Sequence, residues 1–372
     1  MSTPVAVLFG GPSPEHDISI LTGLQAERLL AQGGREVAPV YWDRAGRWHL
    51  VPSGSEARDF LDGAPAKSRP LELRVSGDEE SGLYLTGGLR AKRLPVEAVL
   101  NCLHGGDGEN GGVQGLLKIA GVPSTGSSVA SAALGMDKLA FGCVMAASGV
   151  PCLERTLLSA DNPPSNPGPY IVKPRYGGSS IGIEVVDDHA TALALLNSSV
   201  HLRRGAVLEP YRPDLFDLNV SVRTWPRVEC SQIERPFRPE DGSIYSYSAK
   251  YLHAEGLANA PREMPAKISA ELAEQITDLA RRVVELTGLT GIIRIDFLSD
   301  GTELFVNEVN SIPGAMALYL WPDEDPVSLL TCAVDESLQS VDDAVPSYEE
   351  GVALRAAGGI AGKLAALPQT RA

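Results

Sequence analysis

Short β-rich apolar runs alternate with helical stretches from the first residues of this chain, and that alternation constrains the fold more than any other feature. Val5–Phe9 leads into the helix-forming stretch Ile18–Ala31 and then Glu36–Trp42, and Val96–Leu103 leads into Gly112–Ala120. Strand-length apolar runs separated by helical segments predict βαβ units, a parallel sheet and the α/β class. Between them, Asp43–Pro95 is rich in Gly, Pro, Ser and charged residues, which predicts loops around small edge strands.

The same reading continues along the 372 residues, a length with room for two or three domains. Ser131–Ser148 reads as one helix. Strands follow at Tyr170–Lys173, Ile183–Val186 and Ala206–Glu209, with a helix at Asp188–Ser198, making a small α/β unit. A larger unit has strands at Leu218–Thr224, Gly291–Leu298 and Glu303–Val309. In its helix Ile268–Thr287, Leu272, Ile276, Leu279, Val283 and Leu286 recur at spacings of four and three and share one face. Val327–Gln339 is a last helix, and about 20 terminal residues read as a loosely attached tail. Breaks near Pro123–Gly126 and Pro210–Pro213 divide the chain into 1–125, 126–209 and 210–372.

Charge and composition narrow the function classes. The net charge of −15 disfavours nonspecific binding to nucleic-acid backbones, though a basic pocket for a small anion remains compatible with it. No apolar run is long enough for a spanning helix, and the apolar start at Val5–Phe9 reads as a core strand, so a cytoplasmic protein with no membrane partner is expected. The five cysteines (Cys102, Cys143, Cys152, Cys230, Cys332) are dispersed with no Cys-x-x-Cys pair, as reduced thiols would be.

Three glycine loops carry the first functional signals. Gly10–His16 lies between strand and helix, where amides attract an anion and Glu15 could receive an ammonium. His104–Gly111 holds a formal Gly-x-Gly-x-x-Gly. No acidic residue falls between Glu109 and Asp137 to bind a ribose, which disfavours a dinucleotide site. Lys173–Gly182 is flanked by two strands rather than by a strand and a helix. No Gly-Lys-Ser/Thr element exists, so it is not a Walker loop, yet a Gly/Ser hairpin beside a lysine can fold over a polyphosphate.

The sharpest signal is a set of polar residues inside apolar strands. Arg294 and Asp296 sit in the run Ile292–Phe297, and Glu308 and Asn310 on the strand that follows. Oxygen ligands without His or Cys suit Mg²⁺. A strict two-residue turn pairing Ser299 with Thr302 would put Asp296 and Glu308 on opposite faces. A bulge or odd-length loop puts all four residues on one face, so a connection other than the plain two-residue turn is predicted.

Together these motifs resemble the D-alanine–D-alanine ligase family of the ATP-grasp superfamily over about residues 4–340. The resemblance rests on Phe9–Ser19, Leu103–Gly115, Met136-Asp137-Lys138, Lys173–Gly182, Tyr245–Leu252 and Arg294–Gly314. It implies an N-terminal Rossmann-like domain and two α+β domains clamping ATP. It also implies one or two Mg²⁺ ions (or Mn²⁺), and a reaction in which one amino acid's carboxylate becomes an acylphosphate that an amine attacks. By resemblance, Lys138, Lys173, Ser180, Glu209, Tyr211, Arg212, Asp217 and Lys250 face the nucleotide, and Asp296, Glu308 and Asn310 the metal. Glu15 would bind the first substrate's ammonium and His104 would lie near its carboxylate. Glu15, Ser179 and Tyr251 would close the active-site loop, while Arg294 and the Gly314 amide would stabilise the tetrahedral oxygen. Asp217 is shorter than the family's ribose-binding Glu and one residue off its spacing. A homodimer with small-molecule partners is implied.

One departure stands out. The family has a Ser that binds the second substrate's carboxylate where this chain has Tyr319, followed by Leu320. That departure sets an alternative beside the family's own reaction: a homologous ligase joining another amino acid to a non-standard acceptor, such as a mycosporine-type molecule. A non-enzymatic binding module is disfavoured because Arg294, Asp296, Glu308, Asn310, Lys138 and Lys173 are all present.

Overall fold

The structure is a computed structural model and describes residues 3–76, 80–237, 261–339, 351–356, 359–365 and 367. It forms two units, Met1–Gln339 and Ser340–Ala372. The second holds two short helices, Val352–Ala356 and Gly359–Ala365.

The first unit begins with the expected βαβ pattern. Strand β1 (Val5–Gly10) lies parallel to β2 (Val37–Trp42) on one side and to β7 (Val99–Asn101) on the other, with α1 (His16–Gln32) crossing between β1 and β2. Gly23 of α1 lets the helix close on the sheet, because a Cβ there would lie 2.4 Å from the Phe9 side chain. The Asp43–Pro95 stretch is more regular than the sequence predicts. It supplies β3 (Trp48–Leu50), β4 (Arg69–Arg74), β5 (Gly82–Leu85) and β6 (Lys92–Leu94), which extend the sheet antiparallel to seven strands. Their alternate leucines, Leu71 and Leu83 among them, bury one face against Leu8 and Val40.

Two helices, α2 (Gly106–Glu109) and α3 (Gly112–Ile119), follow β7. Where one helix was expected over Ser131–Ser148, there are two, α4 (Val129–Met136) and α5 (Lys138–Ala147). Asp137 breaks them with an extended backbone, and its carboxylate accepts from the Leu139 and Ala140 amides. Arg175 grips the same carboxylate at 2.8 and 2.6 Å. Capping is what makes Lys138 the first residue of α5.

The second sheet is antiparallel, in the order β10 (Glu184–Val186), β9 (Tyr170–Pro174), β11 (Ala206–Pro210), β8 (Thr156–Leu157). It is covered by α6 (His189–Ser198), whose Ala192 is in the small core beneath. The third sheet runs β14 (Arg262–Glu263), β13 (Glu229–Pro236), β12 (Phe216–Arg223), β15 (Ile292–Ser299), β16 (Leu304–Asn310). Its core packs under α7 (Ala270–Thr287), started by the Ser269 cap and ended by Gly288 at φ 63°. Leu272, Ile276 and Val283 are buried as the periodicity predicts, while Leu279 and Leu286 are half-buried at the edge. After β16 the chain returns to the first core. Ile312, Met316, Leu318 and Leu320, with Leu329 and Leu330 of α8 (Pro326–Gln339), pack with Val5, Phe9 and Leu24.

Candidate active site

The strands β15 and β16 set the central geometry. Their connection is not a two-residue turn: Ser299 pairs with Leu304 around a four-residue loop in which Asp300 accepts from the Thr302 and Glu303 amides. That register alone would pair Asp296 with Asn307. A β-bulge between Asp296 and Phe297 shifts it by one, so Asp296 lies opposite Glu308 and Arg294 opposite Asn310. All four side chains therefore share one face. Arg294 donates to both Asp296 oxygens, at 2.7 and 2.8 Å, and Asn310 Nδ2 donates to Asp296 Oδ2 at 3.2 Å.

The glycine hairpin and two lysines come to this face from other elements. Lys138 Nζ donates to the Gly177 carbonyl and lies 3.9 Å from Glu308 Oε2. Burial draws its pKa below the ordinary lysine value, with Glu308 pulling the other way. Lys173 Nζ bonds Glu209 Oε2 at 2.7 Å and Asn307 Oδ1 at 3.1 Å. Burial alone would raise the Glu209 carboxyl, but Lys173 and Arg155 hold it below the usual range. Glu15 stands between two glycine loops and accepts a hydrogen bond from Ser179 Oγ. A Cβ on Gly105 would lie 2.4 Å from Glu15 Oε2 and one on Gly178 would lie 3.3 Å from Oε1, so a side chain at Gly105 would push the Glu15 carboxylate aside and one at Gly178 would crowd it. Ser179 and Ser180 hold φ at 54° and 57°, a left-handed conformation that concentrates at functional loops. Glu15, Glu109, Lys138, Arg155, Gly177, Gly178, Glu308 and Asn310 enclose a cavity of about 30 Å³.

The turn after β16 is held from a distance. Ala315, Met316 and Ala317 adopt left-handed φ values of 50°, 51° and 50°, each costing a non-glycine residue about 1–2 kcal/mol. The Ala315 amide donates to Thr22 Oγ1 at 3.0 Å. Thr22 Oγ1 is in turn 2.8 Å from His104 Nε2, and His104 Nδ1 is 2.7 Å from the Ile312 carbonyl. A carbonyl can only accept, so Nδ1 carries the proton and Nε2 accepts from Thr22. Burial pushes the His104 pKa down to about 4, so the ring is neutral. His104 was expected near a substrate carboxylate. Both of its nitrogens are engaged within the protein, and the burial that disfavours its cation also requires both to be paired.

The Tyr319 hydroxyl donates to Glu234 Oε2 at 3.1 Å. Glu234 also receives Asn219 Nδ2 and Arg262 Nη1, each at 3.1 Å, and the Arg262 guanidinium lies 4.8 Å from the Tyr319 ring centroid. The Leu320 side chain, expected at the substrate, is fully buried in the first core. Arg212, expected at the nucleotide, pairs with Asp214 and Glu303 on the surface, the nearest carboxylates its long side chain can reach. Tyr211 follows β11 with its amide donating to the Pro169 carbonyl, and Asp217 lies on β12 opposite Leu298. Lys250 and Tyr251 lie outside the described residues.

Several residues at this site were not singled out in the sequence: Thr22, Glu109, Arg155, Glu234, Arg262 and Asn307. Glu109 accepts from the Gly105 amide at 2.9 Å and from Ser311 Oγ and the Ile312 amide, both at 3.3 Å. Burial, with the Glu15 charge adding to it, pushes its pKa up to about 7. The only signal for it was its place in the second glycine loop. For a divalent ion the donor set is two carboxylates and an amide on one face, with no imidazole or thiolate. That chemistry fits a hard cation such as Mg²⁺.

Two family models match the chain, one described as D-ala D-ala ligase N-terminus over residues 4–127 and one as D-ala D-ala ligase C-terminus over residues 161–324. A D-alanine–D-alanine ligase from Mycolicibacterium vanbaalenii is 31% identical over 341 residues, covering 86% of this chain and 90% of that protein. One from Thermosipho africanus is 28% identical over 327 residues, covering 85% and 88%. The solved D-alanine–D-alanine ligase from Coxiella burnetii superposes with a TM-score of 0.71 at 21% identity, covering 91% of this chain and 97% of its own. The Helicobacter pylori enzyme gives 0.68 at 24% identity, covering 94% and 100%. The chain belongs to the D-alanine–D-alanine ligase family and has the ATP-grasp fold.

Proposed function

We propose that this protein is an ATP-dependent carboxylate–amine ligase that joins two D-alanine molecules. The observation that carries the reading is the single polar face of β15 and β16, where Arg294, Asp296, Glu308 and Asn310 converge beside Lys138. Family membership supports the substrate class. None of the similar proteins described above points to a mycosporine-type acceptor, and that alternative is not carried further.

In this reading Lys138 and Lys173 meet the nucleotide phosphates, and the Gly177–Ser180 hairpin covers them and excludes water. Glu15 receives the ammonium of the first D-alanine. Asp296, Glu308 and Asn310 would hold Mg²⁺, which supplies neutralisation of phosphate charge. The first carboxylate takes the terminal phosphoryl group, forming a carboxyl–phosphate bond with release of ADP. The second D-alanine's amine attacks the carbonyl, Arg294 and the Gly314 amide bear the charge on its oxygen, and collapse expels phosphate. Glu209 offers the nucleotide its backbone, since its carboxylate is engaged by Lys173 and Arg155. We extend the reading to three domains (1–125, 126–209 and 210–372), to the cytoplasm and to a homodimer. Among the described residues no helix is long and apolar enough to cross a membrane.

Incubation with ATP, Mg²⁺ and D-alanine tests the reading. Equimolar ADP, phosphate and D-alanyl-D-alanine are expected. Absence of D-alanine-dependent ATP consumption would contradict it.

A further inference from the structure

The residue displaced by the β-bulge is Asn307, and its carbonyl falls outside the regular ladder with β15. Arg155 Nη2 donates to that carbonyl. The same guanidinium donates through Nη1 to the Lys138 carbonyl at 3.0 Å and places Nε 3.0 Å from Glu209 Oε1. Its side chain is only 2% exposed. It reaches this place past Gly142 of α5, where a Cβ would lie 2.6 Å from Arg155 Cδ. A second tie on the same stretch runs from the Val306 amide to the Pro151 carbonyl at 2.8 Å. Lys173 holds the Asn307 side chain as well.

These contacts have one geometric consequence. Without the bulge, Glu308 would turn to the opposite face from Asp296, and the shared oxygen-donor face would be lost. We propose that Arg155 is a positioning residue for cation binding: by satisfying the displaced Asn307 carbonyl it fixes the bulge that aims Glu308 at Asp296. The inference rests on the ligase reading only for the identity of the ion. A buried guanidinium suits the task because its planar fork donates to two separate carbonyls while its charge lies beside Glu209, a spread that a single ammonium nitrogen does not span. Supporting groups of this kind typically govern metal affinity by about 10- to 100-fold.

The test is ADP binding by calorimetry, with and without Mg²⁺, on the full chain. Wild type is expected to bind ADP more tightly with Mg²⁺. Failure there sinks the cation site and the inference with it, whereas D-alanine-dependent ATP consumption reports on the ligase reading by itself. In Arg155→Met, the Mg²⁺ needed for half of the tightening should rise about 10-fold or more, read against the variant's own metal-free ADP affinity. In Arg155→Lys the defect should persist, because one ammonium cannot replace the fork. Should Arg155→Met not fold, Gly142→Ala displaces the guanidinium while keeping its charge and a good helix former, and the same Mg²⁺ defect is expected. An unchanged Mg²⁺ midpoint in folded Arg155→Met or Gly142→Ala overturns the inference. So does an equal loss of affinity with and without Mg²⁺, which would mark Arg155 as merely structural.

Discussion

The polar face of β15 and β16 and the Gly314–Leu320 turn that follows it adjoin in the chain but are built by opposite means. On the strands, regular pairing plus one bulge aligns four half-buried or buried polar residues, of which Arg294, Asp296 and Asn310 bond one another and Glu308 faces Lys138 of α5. In the turn, three non-glycine residues hold left-handed angles, and beside the local Met316–Pro313 bond the restraints come from Thr22 and His104, nearly 300 residues back for the Ala315–Thr22 bond. Tyr319 in the same turn is tied to Glu234 of β13. The strands can lose a side chain and keep their shape, whereas the turn depends on long-range contacts to have a shape at all.

Substitutions in the two regions should therefore separate chemistry from stability. The largest stability effect belongs to the turn. Glu234→Ala leaves Tyr319, Asn219 and Arg262 without their shared acceptor, and breaking a buried pair of this kind costs about 3–5 kcal/mol in urea unfolding. Arg294→Ala should do the reverse. It should cut kcat roughly 100- to 1,000-fold, about 3–4 kcal/mol in the barrier, with little change in nucleotide affinity and a smaller fall in urea midpoint than Glu234→Ala, because Asn310 still donates to Asp296. Full turnover in Arg294→Ala would erase the distinction. Thr22→Val orphans the Ala315 amide and the His104 acceptor nitrogen, with an expected loss of about 1–3 kcal/mol that Thr22→Ser should restore. If Thr22→Val unfolds at the wild-type midpoint, the turn is not held from that side.

The smallest effect is in pH dependence, at the seam between the two regions. Glu109 bonds the Gly105 amide on one side and Ser311 and the Ile312 amide on the other. Its folded pKa of about 7 lies above the ordinary 4.5, so folding favours the protonated form. Its contribution is therefore complete below pH 4.5 and is lost as pH rises through about 7. Glu109→Gln should flatten the melting temperature across that window relative to wild type. A slope unchanged by the substitution would assign it to other groups.

The difference between the regions also explains what could be read from residue order. Arg294, Asp296, Glu308 and Asn310 were visible because charge inside an apolar run is a local anomaly. That a shared face requires an odd-length loop or a bulge, rather than a plain two-residue turn, followed from strand periodicity; that it is a bulge beside a four-residue loop did not. The βαβ start and the buried face of α7 were legible for the same reason, since periodicity is local. The break at Asp137 was not, because it needs Arg175 from just after β9 as well as the cap. Arg155 and Asn307 looked like ordinary polar residues, since their role exists only once β16 lies against the segment after Pro151. His104 was noticed for its loop, but its neutral, doubly bonded state follows from burial that no spacing reveals.

The proposed reaction phosphorylates the first D-alanine's carboxylate. It is tested most directly by supplying D-alanine labelled with heavy oxygen in its carboxylate, along with ATP and Mg²⁺, and analysing the released phosphate by mass. Each phosphate formed with dipeptide is expected to carry one heavy oxygen drawn from D-alanine. Dipeptide formation accompanied by unlabelled phosphate would contradict it.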